Sequence, residues 1–266
     1  MKNFILSIVL SISIFSGSVI AGESPYELSW ERDGVISAVG GAMVIGAYFS
    51  DNSVKAFTPE DLINLHRDDI NIFDRGAAYN YNKNIAKVSD YFLTAAEAAP
   101  LIFLIDDNMR SDFGKIAAMY VETIAITSGA VGIAKGNVQR ARPFTYNPDA
   151  PIDEKLKVDA RKSFFSGHTG LTFASAVFVA KVYSDYYPES NYKAWVWGGA
   201  IGTATAVGLM RYFAGKHFPS DILTGAIVGS AVGYLIPELH KKDNKDLSVD
   251  IQQNSSTCLI GFSYRF

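Results

Sequence analysis

The sequence predicts an all-α fold, a helical bundle of about six main helices with a small C-terminal β-hairpin. Three observations lead there. Apolar stretches of 15 to 20 residues recur six times between positions 35 and 236, longer than ordinary strands. Stop and start signals punctuate them: Pro188 and Gly215 fall just beyond two stretches, and Pro219-Ser220-Asp221 opens the last. Only the final twenty residues change to a period of two.

The elements follow in order. Lys2 precedes an apolar run from Phe4 to Ile20 that ends in Val19-Ile20-Ala21. A basic start, a short apolar run and a small-residue ending read as a secretory signal over residues 1–21, with Ala21 the last residue removed. The helical domain is expected over 22–240. Its stretches lie at 35–49, 91–105, 116–134, 171–187, 194–213 and 222–236. Residues 50–90 are polar, with Asp61, His66, Arg67, Asp68, Asp69, Asp74 and Arg75. The spacing of Leu62, Leu65, Ile70, Ile72 and Phe73 there predicts one or two short helices. In the tail, 241–266, Leu247, Val249 and Ile251 alternate with polar residues, and so do Cys258, Ile260, Phe262, Tyr264 and Phe266. Two alternating runs joined by a polar link predict a hairpin packed on the bundle.

Composition narrows the function classes. The chain has 266 residues, one large domain's worth. A net charge of −3 gives no reason to expect a nucleic-acid partner. The single cysteine, Cys258, forms no internal disulfide. A membrane span needs about 20 mainly apolar residues. Several stretches are nearer 15, and Glu97, Lys115 and Glu122 sit in or beside them. Membrane association stays open on this reading.

Three clusters carry chemistry. The first is K-G-N-V-Q-R-A-R-P, residues 135–143. Lys135 and Arg142 are two helical turns apart and share a face if the helix continues. Two fixed cations suit a dianion, and Arg142 can offer paired N–H donors to phosphate oxygens. The second is S-F-F-S-G-H-T-G, residues 163–170. Ser166-Gly167-His168 precedes an apolar helix, where backbone N–H groups favour anions. His168 would sit beside such an anion. The third is R-Y-F-A-G-K-H-F-P-S-D, residues 211–221. Asp221 follows His217 by four residues, a spacing that can orient one imidazole nitrogen and free the other as nucleophile. Each cluster alone has an ordinary structural reading: a solvated helix end, a serine cap, an interhelical loop. Alternating helices bring all three to one end of the bundle. His66 and His240 lack such surroundings and read as structural or surface residues.

With these residues in place, the sequence resembles the type 2 phosphatidic acid phosphatase superfamily over roughly residues 90–240. The family pattern is K-x6-R-P, then P-S-G-H, then S-R-x5-H-x3-D. Lys135, Arg142 and Pro143, then Ser166, Gly167 and His168, then Arg211, His217 and Asp221 match it in order. Phe165 stands where the family has proline and Met210 where it has serine. Neither change removes a charged or nucleophilic group.

The resemblance implies a phosphoric ester hydrolase. Lys135, Arg142 and Arg211 would hold the phosphate, helped by Ser166 and Gly167. His217 would attack phosphorus to give a phosphohistidine, His168 would protonate the leaving oxygen, and Asp221 would orient His217. No metal or cofactor is expected. The expected substrate is a phosphate monoester or pyrophosphate, of a lipid before a small phosphomonoester. The competing readings are a soluble periplasmic acid phosphatase, a vanadium haloperoxidase and a non-catalytic lipid-binding protein. The expected location is exported, in the periplasm or cell envelope, with the site facing the periplasm. If the signal were removed and all six helices crossed a membrane, the motifs would face the cytoplasm instead, so full spanning is not expected.

Overall fold

The computed structural model describes residues 24–242, together with the backbone of 247–254 and 257–264. The signal-like segment 1–21 lies outside the described residues. Ten α-helices occur among the described residues, more than the six expected. They are α1 (Trp30–Asn52), α2 (Pro59–Ile63), α3 (Ile72–Arg75), α4 (Lys83–Ala98), α5 (Asp107–Ser111), α6 (Phe113–Val138), α7 (Ile152–Lys155), α8 (Gly167–Tyr186), α9 (Lys193–Phe213) and α10 (Pro219–Leu239). Four of these, α2, α3, α5 and α7, have only four or five residues. Such single turns are set by caps and local polar bonds. Apolar periodicity, which needs several turns, does not see them.

The second apolar stretch also falls differently. It was expected at 91–105, but α4 starts at Lys83 because the Asn82 side chain accepts from Asn84 N and Ile85 N. Pro100 follows its end, and Ala99–Leu104 continue as a 3₁₀ turn. The apolar run thus straddles two elements.

Glycines set how closely the long helices meet. On α10, Gly225, Gly229 and Gly233 are spaced by four and share a face. A Cβ at Gly229 would lie 2.1 Å from Gly170 O, and one at Gly233 2.3 Å from Ala174 O. Only bare backbone fits there. The order of these contacts makes α8 and α10 parallel. In the same way Gly136 of α6 meets Ser50 of α1 and Gly40 of α1 meets Ala125 of α6, so α1 and α6 are parallel. One end of the bundle therefore gathers the C-termini of α1, α6 and α9 and the N-termini of α4, α8 and α10. The three motifs lie at this end.

The opposite end holds the main core. Ile116, Met119, Phe178, Val182 and Ile236 pack there with Tyr26 and Phe103. The backbone of Tyr26 bridges that of Lys241, fastening the start of the described chain to the segment after α10. Among the described residues, three segments are long and apolar enough to cross a membrane: α1, Phe113–Tyr146 and α10. In the tail, Leu247–Asn254 and Thr257–Tyr264 run antiparallel, Leu247 opposite Tyr264.

Candidate active site

The first motif is built by a broken helix. Lys135 lies in the last turn of α6, which stops at Val138 as Gln139 adopts a left-handed conformation at φ 48°. Pro143 keeps Arg142 extended, at φ −76° and ψ 152°. Lys135 and Arg142 thus do not share a helix face, as their spacing suggested. A turn folds them together. Arg142 is buried and held by three acceptors: Nε donates to Asp159 O, Nη2 to Asp159 Oδ1 at 2.7 Å, and Nη1 to Lys216 O.

The second motif opens α8. Ser166 is the N-cap, accepting from Thr169 N, and its hydroxyl is 2.8 Å from Thr169 Oγ1. It is fully buried, and its hydroxyl bonds within the first turn of α8. A Cβ on Gly167 would sit 3.1 Å from Val131 Cγ1 and 3.3 Å from Lys135 Nζ. Phe165 is buried against Gly170, filling the place of the usual proline. His168 Nε2 lies 2.7 Å from Asp90 Oδ1 of α4.

The third motif spans the α9–α10 turn. Arg211 is buried at the end of α9 and donates to Ser89 Oγ and Asp90 Oδ1, while its Nε–H is buried without a partner. Gly215, at φ 69°, makes the turn. His217 is buried, its Nδ1 2.8 Å from the Ser163 carbonyl and its Nε2 3.1 Å from Arg142 Nη1. A carbonyl only accepts, so Nδ1 carries the hydrogen and Nε2 the lone pair.

Asp221 does not hold His217 directly. Its nearest oxygen is 3.8 Å from Nδ1. Instead Asp221 Oδ2 accepts from Ser163 Oγ at 2.5 Å and from Phe218 N at 2.9 Å. Asp221 holds Ser163, and the Ser163 carbonyl holds His217. The other oxygen, Oδ1, accepts from Arg140 Nη1 at 2.7 Å, and Arg140 Nη2 reaches Asp74 Oδ2 at 2.8 Å. Asp74 also accepts from Ser220 N and Ser220 Oγ. Burial alone would raise the Asp74 carboxyl, but the bonds from Arg140, Ser220 and Asn71 outweigh it and hold it below the usual range. Arg140 and Asp74 were not singled out from sequence. Arg140 lies inside the first motif's run, and Asp74 was one of many polar residues in 50–90.

These residues surround a cavity of about 590 Å³. Lys135, Arg142, His168, Arg211 and Lys216 line it, with Asp90 and Asp159. Its lining carries more basic groups than its three carboxylates, Asp90, Glu154 and Asp159, although burial lowers Lys135 to about 7. Burial first, then the nearby Arg142, Arg211 and Lys135, push the His217 imidazole well below its ordinary value. Burial, Arg211 and His217 do the same for His168. Both rings are neutral at neutral pH. Burial alone would raise Asp159, but Arg142, Lys216 and Lys135 hold it well below the usual range.

Residues 116–245 match the model of the PAP2 superfamily. Over that segment the chain is similar to the PAP2 superfamily. The matched PAP2 segment contains all three motifs, while Asp74 and Asp90 come from outside it. Among curated proteins, the probable diacylglycerol pyrophosphate phosphatase 1 of Schizosaccharomyces pombe is 26% identical over 129 residues, 42% of this chain. The alignment spans about half of that relative, 46% of its length. No solved structure matches this chain.

Proposed function

We propose that the chain is a phosphatase that removes phosphate from a lipid phosphate ester or pyrophosphate through a phosphohistidine. The observation that carries this is the state of His217: buried, held below its ordinary pKa, tied at Nδ1 to a carbonyl, with its Nε2 lone pair against Arg142, which itself lines the cationic cavity.

A phosphate entering the cavity meets Lys135, Arg142, Arg211 and Lys216. The unpartnered Nε–H of Arg211 is available to it. Arg142 turns its Nη1–H from His217 to a phosphate oxygen, which exposes the lone pair. Nε2 then attacks phosphorus as the ester P–O bond breaks. The leaving oxygen takes a proton from His168. Water next attacks the phosphohistidine, giving its proton to His168 as the P–N bond breaks, and His217 is regenerated. The cations stabilise charge on the equatorial oxygens in both transition states. The proton that His168 needs is taken up from solvent as the substrate binds. A bound dianion offsets the surrounding cations and raises the imidazole.

The relative named above is a probable diacylglycerol pyrophosphate phosphatase, which favours a lipid substrate. The helices flanking the cavity agree, since α4 exposes Val88, Tyr91 and Phe92 and α9 exposes Leu209 and Phe213. The same exposed faces, with three helices of spanning length, favour a membrane-associated protein. Export, with the site facing the periplasm, rests on residues 1–21 and the family resemblance. A carbonate wash of separated membranes tests the association, and release into the wash would count against it.

The chemistry is tested by assaying phosphatidic acid and diacylglycerol pyrophosphate in detergent micelles with excess EDTA, then with vanadate. Phosphate release is expected to persist in EDTA and to be inhibited by vanadate. Loss in EDTA that zinc or magnesium restores would sink the mechanism. Vanadate-dependent peroxidase activity would favour the haloperoxidase reading, and lipid binding without release the non-catalytic one.

A further inference from the structure

At the end of the bundle away from the cavity, three residues distant in sequence meet inside the protein. Asp33 lies in the first turn of α1, Glu122 on α6 and His240 just after α10. His240 is fully buried, and Glu122 is 5% exposed. The Nδ1 of His240 is 2.7 Å from the Ile236 carbonyl. That oxygen only accepts, so Nδ1 carries the hydrogen. In the neutral ring Nε2 is then a bare lone pair. It faces Asp33 Oδ1 at 3.1 Å and Glu122 Oε2 at 3.3 Å. Neither Nε2 nor Glu122 Oε2 has a hydrogen-bond partner. Electron-pair donors from three segments thus converge in a buried place, and something positive must sit among them.

We propose that Asp33, Glu122 and His240 form a structural site for one divalent transition-metal ion of the manganese, iron or zinc kind. The ligand atoms all lie within 4.8 Å of one another. One imidazole nitrogen with two carboxylate oxygens suits such ions. Ligand bonds of about 2.1 Å place neighbouring ligand atoms ~3.0 Å apart in octahedral geometry and ~3.4 Å apart in tetrahedral geometry. The two separations at Nε2, 3.1 and 3.3 Å, fall between these limits.

The surroundings are those of held ligands. The Nδ1–H bond to a carbonyl fixes the tautomer and the ring plane. Ser37 Oγ donates to Glu122 Oε1 at 3.2 Å, and Ser29 N donates to Asp33 Oδ2 at 2.7 Å. Each carboxylate thus has its second oxygen held. Arg32 Nε donates to Asp33 Oδ1 at 2.8 Å, using one lone pair and leaving another. Asp33 and Glu122 contribute −2 and Arg32 +1, so the ionised cluster is −1 without an ion and +1 with one. The ion would tie the start of α1 to α6 and to the end of α10.

The test uses the full chain in detergent, loaded with Mn²⁺, Fe²⁺ or Zn²⁺ and freed of loose metal by gel filtration. Metal content by mass spectrometry should approach one equivalent. It should fall to background in His240→Gln and in the milder Asp33→Asn. Adding the metal should raise the Tm of the wild type and not of Asp33→Asn. Chelation should lower the wild-type Tm while kcat on p-nitrophenyl phosphate, measured well below the Tm, stays unchanged. That split separates this site from the phosphatase chemistry. Metal content no higher in wild type than in both variants would overturn the proposal. So would a wild-type Tm that ignores metal but rises as pH falls from 8 to 6, because a proton would then be the occupant.

Discussion

Nε2 of His217 lies 3.1 Å from Nη1 of Arg142, and the same guanidinium reaches three acceptors on Asp159 and Lys216. Arg142 thus both restrains the proposed nucleophile and braces two loops. Lysine keeps the charge but offers no planar fork. Arg142→Lys should lower kcat/KM by ~10²–10³-fold, the scale of losing one preorganised donor. Buried acceptors left unpaired should also cost about 1–3 kcal/mol of stability. Kinetics and thermal melts on the same variant check both. Wild-type kcat/KM would remove Arg142 from the site.

Asp221 acts on His217 through Ser163, and this separates two explanations of its role. A carboxylate that touched the ring would change the reaction alone. A fully buried carboxylate that holds Ser163, Phe218 N and Arg140 supports the fold as well. Asp221→Asn should lower both kcat and Tm, and removing one partner of such a buried pair costs about 3–5 kcal/mol. Asp74→Asn breaks the other end of the Arg140 bridge, so it should lower Tm in the same direction and kcat less. An Asp221→Asn protein with reduced kcat and unchanged Tm would restore the direct contact.

These two cases show what was legible in the sequence. The long helices announced themselves because apolar residues recur over many turns. The three motifs did so because their cations and histidines are close in sequence. The geometry between motifs did not. Lys135 and Arg142 were placed on one helix face by spacing, and one left-handed residue, Gln139, undoes that. The Asp74–Arg140 pair joins residues 66 apart, and no local pattern marks Asp74 among its polar neighbours. Asp33, Glu122 and His240 are invisible as a group until the helices are stacked.

The pH dependence has a definite sign. His168 and His217 both have depressed values in the fold, against about 6.5 unfolded. As pH falls below 6.5 the unfolded chain takes up protons and the folded chain resists. Stability contributed by these groups is therefore present above that value and lost as pH falls towards the depressed ones. The slope is at most about 1.4 kcal/mol per pH unit for each group. An anion in the cavity should reverse this for His168. Sulfate, a dianion that does not titrate near neutrality, should bind with proton uptake, read by calorimetry in buffers of different ionisation heat. His168→Gln should abolish the uptake. Sulfate binding with no proton uptake in the wild type would show that substrate does not load His168.

The two histidines should fail differently when removed. His217 is the proposed nucleophile, its lone pair against Arg142, so without it no covalent intermediate forms. His217→Ala should abolish activity on every substrate. His168 is at the cavity wall, 22% exposed on its side chain, with Asp90 on its Nε2. Without it the leaving oxygen departs unprotonated. That handicap is severe for the alkoxide of a lipid phosphate and mild for p-nitrophenolate, a weak base. Proton donation is worth ~10²–10⁴-fold where it is needed. His168→Ala should therefore lose far more activity on phosphatidic acid than on p-nitrophenyl phosphate. The second half-reaction also loses its base, so phosphohistidine should accumulate when the activated ester is used. Acid-quenched labelling with radioactive phosphate would detect it. Asp90→Asn should fall between, keeping the ring but loosening its hold. Labelling that survives in His217→Ala, or equal losses on both substrates in His168→Ala, would exchange the roles assigned to the two rings.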